Sequence, residues 1–410
     1  MPKLMRIPSL LFIIPAIIFS CTAESKKKGV KPGIWRGILN VQGNELPVNF
    51  EVIQESDLRV YLINAEERIE LDEVRIEGDS VFIPMHIFDT DIKALIQGDR
   101  LVGVWTKNYE KDYVVPFEAV YGTSYRFVPS KKAPESFDGT WRVTFIHHED
   151  GDTTESVGIF SQSGTKVTGT FLNPKGDYRY LEGTVDSNTM QLSTFDGGHA
   201  FLFTAQKTTE DQLSGDFWSG SHWHETWTAV KDENAMLPDA DSLTFIKEGY
   251  DGLTFSFPDL NGNPVSPEDF RGKVLIVQIF GTWCPNCMDE TKFLKQWYEE
   301  NHTRGVEVLG LAYEAKDDFE YARDRVLKMK EKWDIPYNFV IAGTKDKKEA
   351  AKTLPMLNHV LAFPTTIFMD RNGDVQRIHT GFTGPGTGHY YEQFVKEFNE
   401  TVDELLIEDL

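Results

Sequence analysis

The chain has three cysteines in 410 residues, and two of them stand one helical turn apart as Cys284-Pro285-Asn286-Cys287. Thiols at that spacing can exchange disulfides, one attacking as a thiolate and the other releasing it. They can also serve as half of a zinc clip or as a structural bridge. A tetrahedral zinc site needs four ligands, and no second cysteine pair or nearby histidine pair accompanies this one. A bridge across so short a loop removes little entropy from the unfolded chain. Haem attachment would need histidine at position 288, which is Met288. Exchange chemistry is the reading these residues favour.

The flanking pattern supplies a scaffold for it. "KVLIVQIF" (273–280) is a continuous apolar run, as in a strand buried on both faces. "MDETKFLKQWYEEN" (288–301) sets Phe293, Leu294, Trp297 and Tyr298 on one helical stripe that stops near Gly305. The pair therefore falls where a strand gives way to a helix. Pro285 fits the first helical position, where its missing N–H costs nothing. Cys284 then sits at the helix N-terminus, whose free N–H groups and positive dipole end favour a thiolate. Further on, strands are expected at 306–313, 337–343, 365–370 and 375–382. Helices are expected at 318–334 and 389–406, with a broken one at "EAAKTLPML". This alternation predicts a sheet with helices on both faces.

"GKVLIVQIFGTWCPNC", followed by "AFPTTIFMDRNGDV", resembles the thioredoxin fold of TlpA-type thiol–disulfide oxidoreductases, which are exported and membrane-anchored. The resemblance covers residues 250–410. It implies that Cys284 attacks a protein disulfide and that Cys287 resolves the mixed disulfide, leaving a Cys284–Cys287 redox disulfide. It implies a cis peptide between Phe363 and Pro364, and a substrate groove bordered by Trp283, Phe363, Pro364 and Gly381, with Phe382 alongside. It also implies a membrane thiol as electron donor and no bound cofactor. Two departures stand out. Thioredoxin carries a buried aspartate six residues before its first cysteine, where this chain has Gln278. Glu290, one turn beyond Cys287, matches an acidic position in several family members and is assigned as the acid–base group; the alternative is a first-turn glutamate complementing the helix dipole. Peroxiredoxins share the fold, but their threonine and proline before the reactive cysteine correspond to Gly281 and Val277.

The remaining sequence bears on location and recognition. Lys3 and Arg6 precede an apolar run from Ile7 to Phe19, too short to span a bilayer and suited to a signal peptide over 1–20. "IFSC" resembles a lipobox, so Cys21 is expected to carry lipid and 21–32 to form a tether. The chain would then work in a bacterial cell envelope, anchored and facing the periplasm, where disulfides persist. A net charge of -22 argues against a nucleic-acid partner.

From 33 to 230, short alternating runs broken by Gly, Asn and Asp predict all-β structure. "GIWRGIL" (33–39) recurs as "GTWRVTF" (139–145), and "DRLVGVWTKNYEKDYVVPFEAV" (99–120) parallels "DQLSGDFWSGSHWHETWTAV" (211–230). We read a tandem repeat over 33–128 and 138–230, built as sandwich or barrel, then a polar linker at 231–249. The expected class is a multidomain chain: an N-terminal all-β tandem repeat followed by a C-terminal α/β thioredoxin-like fold. A competing function is a ligand- or partner-binding lipoprotein in which the β region is primary. Trp218, Trp223 and Trp227, alternating with His222 and His224, could form such a surface, although alternating aromatics on a β face are usually core. No third ligand is fixed by spacing, His147 and His148 falling in an expected turn, so no metal is assigned.

Overall fold

The computed structural model describes residues 29–407 apart from 86, 129, 131–133 and 149. The expected signal peptide, the lipidation site Cys21 and tether residues 22–28 lie outside the described residues. Among the described residues no helix is long and apolar enough to cross a membrane.

The N-terminal region forms two antiparallel nine-stranded sheets. The first holds β1 (Gly33–Val41), β2 (Asn44–Gln54), β3 (Leu58–Asn64), β4 (Glu67–Leu71), β5 (Arg75–Glu77), β6 (Ser80–Met85), β7 (Thr90–Gln97), β8 (Arg100–Lys107) and β9 (Val114–Tyr121). Its order is β4-β3-β2-β1-β9-β8-β7-β6-β5. The second holds β10 (Gly139–His147), β11 (Thr153–Ser163), β12 (Lys166–Asn173), β13 (Gly176–Asp177), β14 (Leu181–Asp186), β15 (Thr189–Phe195), β16 (Ala200–Thr209), β17 (Gln212–Ser219) and β18 (Trp223–Lys231). Its order is β11-β10-β18-β17-β16-β15-β14-β12-β13, and β11 also pairs with β12, which closes a barrel.

Counted from its own first strand, each sheet keeps the same neighbours from the third strand round to the fifth. They differ at one edge. β4 pairs along β3 from Val60 to Asn64 and leaves that sheet open. Its counterpart β13 has only two residues, so β12 can pair with β14 from Lys166 to Gly169. Alternation decides the interior: β7 buries every second residue, as a strand with one face on the core must. Trp35 and Trp141 lie fully buried at matching places, and each indole donates to a carbonyl four residues upstream, Lys31 O and Phe137 O, both at 2.9 Å. The two units share core, since Phe195, Ala200 and Leu202 of the second pack into the first.

The C-terminal unit begins with a short ribbon, β19 (Phe257–Pro258) and β20 (Pro264–Val265). A five-stranded sheet follows, made of β21 (Val274–Phe280), β22 (Val306–Glu314), β23 (Asn338–Thr344), β24 (Thr365–Met369) and β25 (Val375–Thr380). The order is β23-β22-β21-β24-β25, parallel through the first three and antiparallel beyond. The helices are α1 (Pro285–Asn301), α2 (Phe319–Lys332), α3 (Lys347–Thr353) and α4 (His389–Ile407). All seven residues of β21 are buried, the polar Gln278 among them, as in a strand covered on both faces. Helix α1 starts at Pro285, the expected first helical position, and the Cys284 sulfur caps it by accepting the Cys287 N–H.

Of residues 231–249, expected as a linker, the first stay on the second β unit, where Asp232 pairs with Arg142 and Ala235 is buried beside Val157 and Leu172, and the later ones strap the C-terminal unit. Asp241 pairs with Arg377 at 2.7 Å and His379 at 2.8 Å, and the Thr244 and Thr380 hydroxyls meet at 2.8 Å.

Trp141→Ala should destabilise the second β unit by about 3–5 kcal/mol through the lost indole volume. The measurement is the urea midpoint of the far-UV circular dichroism signal of the β region; an unmoved midpoint would show that Trp141 does not hold that core.

Candidate active site

Cys284 and Cys287 are joined by a disulfide with their Cα atoms 5.2 Å apart. Pro285 occupies the first helical turn, as its fixed φ and missing N–H predict. Cys287 is fully buried and Cys284 is 5% exposed, its sulfur 3.3 Å from Phe363 O. The Phe363–Pro364 peptide is cis.

The buried stripe of α1 runs through Cys287, Glu290, Thr291, Leu294 and Trp297, the 3–4 spacing of one helical face. Glu290 therefore follows Cys287 inward and is 1% exposed. On the sheet below, Gln278 of β21 and Thr366 of β24 stand directly opposite each other, so both side chains reach the same carboxylate. Gln278 Nε2 donates at 2.8 Å and Thr366 Oγ1 at 2.7 Å. Gln278 also reaches Cys287 O at 3.4 Å and accepts from the Thr291 hydroxyl at 3.1 Å, linking the acid to the turn that carries the second cysteine. Burial pushes the Glu290 carboxyl up to about 7, against the pull of its two donors. A solvated first-turn glutamate does not fit this burial. A second buried acid, Glu314 at the end of β22, accepts from the Thr282 N–H and hydroxyl, each at 2.8 Å, and burial pushes it up to about 6.

The N-terminal region closes over this centre. Arg179, buried beyond β13, pairs with Glu67 of the first sheet, with Asp196 of the second at 3.5 Å, and with Asp289 on α1. It also donates to Pro285 O at 3.3 Å. Burial disfavours a charged guanidinium, but Asp289, Glu67 and Asp196 outweigh it and hold Arg179 firmly protonated. Asp177, which burial pushes up to about 6, accepts from Arg179 N–H and Gly384 N–H, each at 2.6 Å. Its main-chain oxygen accepts from Asn286 Nδ2 at 3.0 Å, so the central dipeptide of the cysteine motif is tied to the β region. Beside these contacts, a cavity of about 480 Å³ separates β4 from the first turns of α1.

The expected residues Trp283, Phe363, Pro364 and Gly381 form a run of contacts that reaches Cys284 through Phe363 O. The Trp283 and Phe363 rings meet edge to face with centroids 5.5 Å apart, and Gly381 N–H donates to Pro364 O at 3.0 Å. The groove they were expected to leave open is instead covered, because Lys175 and Gly176 lie against Gly381. The aromatic–histidine stretch does not share one face. Trp227 is core, Trp223 is 40% exposed and stacks on His147, and His224 lies across from Trp218 on β17. Among the described residues no group of three or more His, Cys, Asp or Glu is placed to hold a metal. Sequence reasoning missed Thr366, Glu314, Asp177 and Arg179. Thr366 stood within the "PTT" run that carried the resemblance, whereas the others had no local signal.

Three comparisons bear on this unit. Residues 249–378 match the AhpC/TSA family model. The chain is 29% identical over 138 residues to thiol-disulfide oxidoreductase ResA of Geobacillus kaustophilus (strain HTA426), covering 34% of this chain and 72% of that one. It is 23% identical over 163 residues to thiol-disulfide oxidoreductase ResA of Bacillus subtilis (strain 168), covering 40% and 82%. A solved structure titled a putative thiol:disulfide interchange protein DsbE, from Chlorobium tepidum, is 19% identical with a TM-score of 0.29, covering 37% of this chain and 98% of that one. The C-terminal unit is thioredoxin-like, and the chain is an oxidoreductase.

Proposed function

We propose that the chain is an exported, envelope-anchored oxidoreductase of TlpA type that reduces protein disulfides through Cys284 and Cys287. The observation that carries this reading is the Cys284–Cys287 disulfide at the start of α1, set over a buried carboxyl. In the reduced form, the Cys284 thiolate attacks one sulfur of a client disulfide and the client's other sulfur leaves as a thiolate. Cys287 then attacks Cys284 Sγ, the second client thiolate leaves, and the internal disulfide forms. Two electrons pass to the client, and a membrane thiol donor returns the pair to the reduced state. Helix N-terminal N–H groups favour the attacking thiolate. Glu290, placed one turn from Cys287, accepts the proton that Cys287 must lose, a role suited to a carboxyl near 7. Gln278 cannot take a proton and instead orients Glu290.

Trp283, Phe363, Pro364 and Gly381 border the client groove in this scheme. The signal peptide over 1–20 and lipid on Cys21 place the centre outside the cytoplasm, in the envelope. The β region is a duplication of one unit, a reading supported by its recurring sequence runs and the shared strand order.

Cys284→Ser should abolish exchange, while Cys287→Ser should accumulate mixed disulfides visible on non-reducing gels. Equal residual turnover in both variants would refute the assignment. A further expectation concerns pH. The folded carboxyl of Glu290, near 7 against an ordinary 4.5, binds its proton more tightly than the unfolded chain does. The stability so gained is complete below about pH 4.5 and is lost as pH rises to about 7. Relative to the parent, Glu290→Gln should therefore gain about 2–3 kcal/mol between pH 5 and pH 8 in urea unfolding. The same variant should shift the pH profile of exchange; a difference independent of pH in both measurements would remove Glu290 from the proton path.

A further inference from the structure

If Cys284 is the attacking sulfur, a client sulfur must approach it in line, yet Cys284 is only 5% exposed. The neighbours of Cys284 within its motif are covered by the β region. Asn286 donates to Asp177 O at 3.0 Å, and Gly198 lies against Pro285. Lys345, 5.9 Å over the Trp283 ring, is held by Glu110 at 3.0 Å and lies over Tyr109 at 4.6 Å.

The seam is built for contact. A Cβ on Gly176 would stand 2.3 Å from Asn286 Nδ2, and one on Gly381 would stand 3.0 Å from the Lys175 carbonyl carbon. Glycine on both sides lets the backbone of one unit lie directly on the other. Side chains then fasten it. Of Arg179's three carboxylate partners, Asp289 alone belongs to the C-terminal unit, so lifting the β region breaks that pair and keeps the others. The Tyr321 hydroxyl donates to Asp89 at 2.8 Å, across the same boundary.

We propose that residues 173–180 are a specificity-determining cap. They lie along Gly381 and Phe382, on the border where a client strand would lie, and polypeptide disulfides reach Cys284 only when the β region swings away. The Arg179–Asp289 and Tyr321–Asp89 pairs are two of its latches, beside Arg325 on Ile87 O at 2.6 Å and Lys345 on Glu110 at 3.0 Å. The cap rests on the reading of Cys284 as the attacking sulfur, and it concerns which disulfides that sulfur meets.

Thiol labelling tests it without turnover. In the full chain with Cys21→Ser and Cys287→Ser, Cys284 is the sole thiol. Iodoacetamide should label it while a polymer-linked maleimide lags. Adding Asp289→Asn or Tyr321→Phe, both nearly isosteric, should raise the polymer-to-iodoacetamide rate ratio by about 3- to 10-fold, the effect of removing one charge-assisted bond from a latch. Taking the ratio cancels any change in thiolate fraction, because both reagents attack the thiolate. The same ratio in parent and both variants would overturn the cap. In parallel, with both cysteines restored, insulin reduction relative to a small aromatic disulfide should rise in the same variants. Failure to reduce either substrate in every variant would overturn the oxidoreductase mechanism instead, while the labelling ratio would still decide the cap.

Discussion

The arrangement turns on the guanidinium of Arg179. A buried cation is tolerated when opposite charges match it. Here Glu67, Asp196 and Asp289 come from three different parts of the molecule to match it, and Pro285 O takes a further donor. Matching one charge therefore ties the first sheet, the barrel and α1 to one another, while the Arg179 Nε, 3.5 Å from Asp196, makes no hydrogen bond. The neighbouring Asp177 extends the tie to Asn286, within the cysteine motif itself.

Enclosure has electrostatic consequences for the chemistry. Charged forms are disfavoured where water is excluded, so carboxyls near the pair move toward neutrality: Glu290 to about 7 and Glu314 to about 6. Each is buried but hydrogen-bonded, Glu290 by Gln278 and Thr366 and Glu314 by Thr282, which keeps a polar group inside the core at tolerable cost. The strand position at which thioredoxin has an acid is neutral in this chain, and the acid stands on the helix, with the strand glutamine holding it in place.

The two β units show how one strand order gives different closures. The deciding variable is the length of the fourth strand, five residues in β4 against two in β13. The shorter strand frees the edge that closes the barrel, and its two residues sit beside the redox motif. The open edge of the first sheet borders the cavity next to α1.

Hydrophobic periodicity and spacing are local properties, and what depends on them was legible in the sequence. The strand–helix junction at Cys284, the place of Pro285 in the first turn, and the helical face shared by Cys287 and Glu290 all follow from a dozen residues. The all-β character of 33–230 and the α/β alternation beyond 250 follow from the same patterns. Closure of the sheets was not legible, because it depends on which edges meet. Nor was the seating of the β region on the redox helix. Arg179 lies 110 residues from Asp289 and 112 from Glu67 in the chain. With 64 acidic residues available, sequence gives no reason to choose those partners. The pairing of a buried charge is settled by which surfaces pack together and exclude water. The sequence by itself determined a cysteine pair at a strand–helix junction of a thioredoxin-like scaffold, and only the tertiary structure decided that the pair is covered.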